Sequence, residues 1–522
     1  MCSDSVSAGP GAQPAASGQP DVLRASSSTE AAGTQESRHA LGGSQSLLLA
    51  VGAFAAGYLA IAALRPPSRA GGVVAVGAMA ALLAVCLFAL GALRLGLRVV
   101  ALSPLTFVAL AQLFIFGIRP AAVALWPGDG AFPLVWLGFR FADLGRVAAA
   151  GALGMSLLGL AFALVWETRA RKHGLQRTPG LAEQPALPTS EEFDDRRLRF
   201  VLTRAAAAGT VLWLILFFRN GGIDALLNDP SRLHLNQFGG GHYVFGYALC
   251  LAAALVALVA FLERPSRQRL LLLTGLAAVA LAASVALQTR GQLLATAAAG
   301  LTLLLALRSP TRRQALALAA LATILLAAFA WMRTVRELSH TVPFAQAARL
   351  AITDRPLLTA TRDFVEFDHL VALTAVVPRE HPHLHGRSLA EAPLAFLPRR
   401  LYPDKPLPLD FELSTALLGA SGKAGTPFTI VGEMYWNFGW IGGLVALAAF
   451  GAVAGAGWWR LVRSSGRKRL LVGTLVLGYS YLLLTRPLGA MAMTAAIGLV
   501  ALLVVVLLAE RLPVPSGEKI DQ

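Results

Sequence analysis

Residues 270–307 read LLLLTGLAAVALAASVALQTRGQLLATAAAGLTLLLAL, with Arg267 and Arg269 just before them and Arg308, Arg312 and Arg313 just after. A helix of roughly 20 residues crosses the hydrocarbon core of a bilayer, so this stretch is too long for one crossing and too apolar for water. Both flanks are basic, and cytoplasmic loops collect Lys and Arg. The chain is therefore expected to go out and return, with Arg290 at the tip of the outward hairpin.

The same unit repeats outward from this hairpin. Apolar runs of span length fall at 46–64, 71–93, 99–118, 145–166, 200–218, 242–262, 270–289, 291–307, 314–332, 433–457, 470–485 and 488–509. The fold class that follows is an all-α polytopic membrane protein of about 12 transmembrane helices with one large extracytoplasmic loop. The chain has 522 residues, of which 56% are hydrophobic and 14% charged, too apolar for a soluble protein of this length. Strand-like alternation is absent, which argues against a transmembrane barrel. Twelve crossings put both termini on one side, together with segments 94–98, 167–199, 263–269, 308–313 and 460–469. These are the dense basic clusters, so that side is read as the cytoplasm. The formal charge of +16 is thus a topology signal, and no nucleic-acid partner is expected.

The expected organisation is a disordered cytoplasmic tail at 1–45, helices one to nine at 46–332, a large periplasmic loop at 333–432, helices ten to twelve at 433–509, and a short cytoplasmic tail at 510–522. The tail 1–45 is rich in Ser, Gly, Ala and Gln and has no apolar run of the kind a cleavable signal needs. Cys2, Cys86 and Cys250 are too scattered for a disulfide framework or a metal knot. A loop of about 100 residues is usually functional. Its stretch 357–377 mixes apolar and charged residues at helical spacing and is expected to lie flat on the outer leaflet.

The chemistry gathers on that far side. Arg119, Arg219, Arg290 and Arg486 stand at outer helix ends, with Arg399, Arg400 and Lys405 in the loop. Singly, each could be an interface anchor whose stem snorkels. As a set they suit an anionic ligand at headgroup level, because guanidinium grips phosphate oxygens. Glu433 stands at a membrane boundary, where a carboxylate is costly unless paired or working. Asp363, Glu366, Asp368 and His369 are further candidates for proton transfer, with Glu366 read as the helix's wet face. His381-Pro382-His383-Leu384-His385 has alternate spacing around a proline and fits a metal site poorly, so no metal is expected.

In order, the loop offers His383-Leu384-His385-Gly386, Leu397-Pro398-Arg399, Tyr402-Pro403-Asp404-Lys405-Pro406 and Gly432-Glu433-Met434-Tyr435-Trp436-Asn437-Phe438-Gly439. Earlier come Gly221-Gly222, Arg232, Gly239 to Gly241 and Thr289-Arg290-Gly291. This pattern resembles the bacterial O-antigen polymerases of the Wzy type, the oligosaccharide repeat unit polymerases, across about residues 210–460. Histidines replace the family's usual aromatics before Gly386, and Arg400 is an additional cation.

The resemblance implies a glycosyltransferase of the bacterial inner (cytoplasmic) membrane. It would join undecaprenyl-diphosphate-linked oligosaccharide repeat units, donor to acceptor, into O-antigen or exopolysaccharide at the outer face, with no cofactor. A chain-length regulator is a further partner it allows. On this reading Arg290, Arg399 and Lys405 hold lipid diphosphates, with Arg400, Arg119, Arg232 and Arg486 as further substrate-binding cations. Glu433 is the first choice of base, Asp368 or His369 the second, and Tyr435 and Asn437 orient Glu433 or the sugar. An O-antigen ligase-like transferase and a flippase for lipid-linked oligosaccharide are the competing readings.

Overall fold

The computed structural model describes residues 23–96, 100–126, 138–173, 195–224, 241–287, 290–307, 364–397, 401–418, 426–462 and 467–511, with isolated positions at 346–353. Every regular element among them is helical. In chain order they are α1 (Leu23–Leu64), α2 (Ala70–Leu95), α3 (Pro104–Ala111), α4 (Arg119–Leu125), α5 (Phe141–Lys172), α6 (Asp195–Arg219), α7 (Gly241–Glu263), α8 (Arg267–Leu287), α9 (Arg290–Leu307), α10 (Glu366–Val376), α11 (Arg387–Glu391), α12 (Leu409–Leu418), α13 (Ile430–Val462), α14 (Arg467–Thr485) and α15 (Leu488–Arg511). A π-helical turn, Gln112–Ile118, joins α3 to α4.

Among the described residues nine helices are long and apolar enough to cross a membrane: α1, α2, the α3–α4 pair, α5, α6, α7, α8, α13 and α15. Helices α9 and α14 stand where spans are expected but carry shorter apolar runs, Leu293–Leu304 and Leu471–Ser480. The expected span 314–332 lies outside the described residues. The chain divides into two compact units, Met1–Ala50 and Val51–Gln522. In the first, α1 begins at Leu23, so helix occupies part of the tail 1–45 that composition assigns to disorder. Ala, Glu and Gln there are good helix formers, and extending a helix is far easier than nucleating one.

The second unit has two ends. At the basic end, Arg94 and Arg171 both pair with Glu167, and Arg269 pairs with Asp195. The C-terminal parts of α5, α7, α9, α13 and α15 pack there with the N-terminal parts of α6 and α14, through residues such as Trp166, Leu198, Val259, Leu303, Trp458 and Leu471. At the other end, the loop end, α10 and α12 pack with the N-terminal parts of α5 and α13, through Leu144, Leu370, Leu413 and Met434. Helix α9 thus finishes at the basic end, whereas α10 lies at the loop end.

Small residues set the closest approaches. A Cβ on Gly451 would meet the Leu158 carbonyl oxygen at 2.1 Å, and one on Gly455 the Phe162 oxygen at 2.6 Å. The matching increments, 158 to 162 and 451 to 455, make α5 and α13 parallel neighbours with touching backbones. In lipid, where apolar side chains gain nothing by leaving one another's company for tails, such small-residue seams hold helices together.

Two expectations need correction. Helix α10 does not lie flat on a leaflet: Glu366, Phe367, Asp368, His369, Leu370, Val371, Ala372, Leu373 and Val376 are all buried. Phe367 meets Phe116 edge to face at 6.4 Å, and Phe364 stacks on Phe114 at 4.9 Å, so Glu366 is not on a wet face either. The alternation of charged and apolar residues reads as amphipathic because the partners of its polar side are protein groups. Nor is α13 a single straight span. Gly439 has φ 68° and ψ −174° inside it, a region open essentially to glycine alone.

Candidate functional site

The break at Gly439 builds the site. Residues 430–438 form a short helix that folds back on the start of the long one, so that a Cβ on Gly443 would meet the Met434 backbone at 3.1 Å. The rings of Tyr435 and Trp440 lie 4.7 Å apart across the fold. A helix ended in this way leaves carbonyls without intrahelical partners, and the histidine segment supplies donors. Leu384 N–H donates to the Trp436 carbonyl at 3.0 Å and His385 N–H to that of Asn437 at 3.0 Å. The His383 ring nitrogen Nδ1 also reaches the Trp436 oxygen, at 3.2 Å. His385 (φ 50°) and Gly386 (φ 91°) then turn the chain through left-handed conformations into α11. Two motifs about fifty residues apart are thus one structural unit.

Glu433 sits at its centre, 1% exposed. Ser388 Oγ donates to Glu433 Oε1 at 2.7 Å, and Leu488 N–H donates to Oε2 at 2.6 Å. Asn437 Nδ2 donates to Ser388 Oγ at 2.7 Å, while Asn437 Oδ1 accepts from Gly386 N–H at 2.9 Å. The serine proton is therefore directed at the glutamate, and Asn437 orients Glu433 through Ser388. Among the described residues no cation pairs with this carboxylate; neutral donors from α11 and the start of α15 hold it.

Asp368 is held in the opposite way. Arg119 Nε donates to Asp368 Oδ1 at 3.0 Å and Nη2 to Oδ2 at 2.5 Å, with both side chains 0% exposed. This corrects two expectations, Arg119 as a substrate-facing cation and Asp368 as an available base. Separated in a dry interior the two charges would each carry a large desolvation penalty, and a bidentate pair offsets it. The π-helical turn helps place Arg119: Pro120 cannot donate a backbone hydrogen bond, and the ladder widens just before it. His369, the next residue, binds the Pro427 carbonyl at 2.6 Å through Nδ1. A carbonyl only accepts, so that nitrogen carries the proton. His369 thereby anchors the lead into α13.

A third carboxylate, Asp410, lies on α12. It is 6% exposed, and its Oδ1 has no hydrogen-bond partner among the described residues. Burial pushes its carboxyl above the ordinary 3.8, with the positive charge of Arg486 acting the other way. One turn on, Ser414 Oγ is likewise buried without a partner. Arg486 is half-buried in the turn between α14 and α15, two residues before the Leu488 N–H that serves Glu433. Unpartnered buried polar atoms cost about 1–3 kcal/mol each.

The remaining expected residues are dispersed. Lys405 Nζ donates to the carbonyls of Ala395 at 2.6 Å and Leu397 at 3.1 Å, closing the 3₁₀ turn Ala392–Phe396. Tyr435 OH donates to the Val377 carbonyl at 2.8 Å, so it fastens α10 to α13 and does not orient Glu433. Arg290 opens α9 at the loop end, whereas Arg232, Arg399, Arg400 and Asp363 lie outside the described residues. Sequence reasoning missed Ser388, Asp410 and Ser414, residue types common in any loop. It also missed Arg146 and Arg379, whose charges both act on Tyr435. Comparison of the chain with protein-family models, with curated proteins and with solved structures finds no match.

Proposed function

We propose that this protein is a membrane glycosyltransferase that polymerises undecaprenyl-diphosphate-linked oligosaccharide repeat units at the outer face of a bacterial inner membrane, with both termini cytoplasmic. The observation that carries the reading is the locking of His383–Gly386 onto residues 430–439 around Glu433, at the end of the bundle away from the paired basic clusters. A transfer from a lipid diphosphate needs a base for the acceptor hydroxyl and cations for the leaving phosphates. Glu433 remains the proposed base, since each of its oxygens accepts one described hydrogen bond and retains a lone pair. Arg290, at the loop end, and Arg399 of the large loop 333–432 are the proposed cations.

The polymer made by a deletion strain tests this directly. Complementation with the wild-type chain should convert single repeat units into a ladder, while Arg399→Ala or Arg290→Ala should leave single units with the protein still in the membrane. Long polymer that is no longer attached to its anchor would assign the chain to the ligases. Lipid-linked units stranded on the cytoplasmic face would assign it to the flippases.

A further inference from the structure

We infer that Asp410, Ser414 and Arg486 form a subsite for a hydroxyl group of a sugar, separate from the Glu433 cradle. Asp410 and Ser414 are four residues apart on α12, hence on one helix face. Both present a buried oxygen without a partner. Nearby groups on α12 are satisfied. The Asp410 carbonyl, which the Ser414 hydroxyl could otherwise use, takes the N–H and hydroxyl of Thr426, each at 3.0 Å. Next door, Thr415 makes the ordinary back-bond to Phe411 O at 3.0 Å. Opposite stands Arg486, whose charge reaches Asp410 but which forms no ion pair among the described residues.

The chemistry of these three groups selects their ligand. An anion would face the Asp410 carboxylate, and a cation would face the guanidinium. A hydroxyl satisfies both, accepting from an Arg486 N–H while donating to Asp410 Oδ1, with Ser414 Oγ free to take either role toward a neighbouring hydroxyl. Water has the same donor and acceptor character, so the test must separate a glycan from solvent. Arg486 is the partly exposed member, whereas Ser414 is 0% and Asp410 6% exposed. The turn that carries Arg486 also carries the Leu488 N–H bound to Glu433, which puts the subsite beside the proposed base. Its assignment to the acceptor sugar rests on the transferase reading; its affinity for a glycan does not.

The experiment uses the full-length protein in phosphatidylethanolamine–phosphatidylglycerol nanodiscs. The probes are the water-soluble oligosaccharide released by mild acid from the producing cell's lipid-linked intermediates and, separately, undecaprenyl diphosphate. Ser414→Ala and Asp410→Asn should each weaken oligosaccharide binding about tenfold, the loss expected when a polar partner is left unmade, and leave undecaprenyl diphosphate binding unchanged. Oligosaccharide binding equal in the wild type and Ser414→Ala overturns the subsite and leaves it a water site only; no oligosaccharide binding by the wild type overturns it as well. If Asp410→Asn does not fold, Ser414→Ala, which deletes one oxygen, carries the decision. Glycan binding that depends on Ser414 in a protein whose deletion leaves the polymer ladder intact would keep the subsite and remove the transferase reading.

Discussion

Asp368 and Glu433 are both carboxylates sealed inside the loop end, and they are kept there by opposite means. Asp368 is clamped by a fully buried guanidinium, both oxygens engaged. Glu433 has a hydroxyl and a backbone N–H. A charged clamp fixes protonation state and position together, because both carboxylate oxygens are held by one guanidinium. A neutral cradle fixes position while allowing the carboxylate to take up or release a proton without breaking an ion pair. The difference assigns structure to the first region and leaves chemistry to the second.

The largest effect is expected at the clamp. Arg119→Met takes the bidentate partner from a buried carboxylate, a loss of about 3–5 kcal/mol, and should remove most folded protein in a thermal unfolding assay of the solubilised chain. Arg119→Met combined with Asp368→Leu should recover most of that loss, since replacing a buried pair by apolar groups is close to neutral. A double variant as unstable as the single would show that the two residues are not coupled, and the contrast with Glu433 would lose its basis.

The cradle should respond more subtly. Glu433→Ala strands the Ser388 hydroxyl and the Leu488 N–H, costing about 1–3 kcal/mol. Glu433→Gln retains an acceptor for one of those donors and should fold nearly as the wild type. If Glu433 is the base, glycan lengthening by Glu433→Gln falls by about 10² to 10⁴ despite that fold. If lengthening persists in Glu433→Gln and fails only in Glu433→Ala, the carboxylate is an organiser and the proton goes elsewhere.

Much of the helical fold was legible because apolar run length and basic flanks are properties of contiguous sequence. Within the 270–307 stretch α8 is described to Leu287 and α9 from Arg290, and Arg486-Pro487 separates α14, which ends at Thr485, from α15. What could not be read were relations across distance. Arg119 and Asp368 are 249 positions apart, and no local pattern distinguishes a paired arginine from one awaiting a phosphate. The same holds for α10, whose charged residues look solvated until Arg119 and Pro427 are known to face them. The Gly439 break was hidden by the apolar continuity on either side of it. Within the site, the Glu433 motif was legible as a contiguous run, and its partner Ser388 was not.

Asp410 sharpens the comparison from a third direction, with backbone N–H groups of Asp410 and Phe411 favouring its charged form and no ion pair among the described residues. Its carboxyl is raised from the ordinary 3.8 by burial, against the pull of Arg486. The folded chain therefore holds a proton there over a range where the unfolded chain has released it. By linkage, stability falls as pH rises from about the ordinary carboxylate value through the raised one. Asp410→Asn removes that titration, so the variant's melting temperature should vary less between about pH 4 and pH 7 than the wild type's, with the variant relatively favoured at the upper end. The effect is the smallest of the three, because the Arg486 charge offsets part of the penalty. Parallel pH curves for the two proteins would mean that Arg486 neutralises Asp410 in full. Asp410 would then belong with Asp368 among the clamped carboxylates, and its Oδ1 would have no unmet valence to offer a sugar.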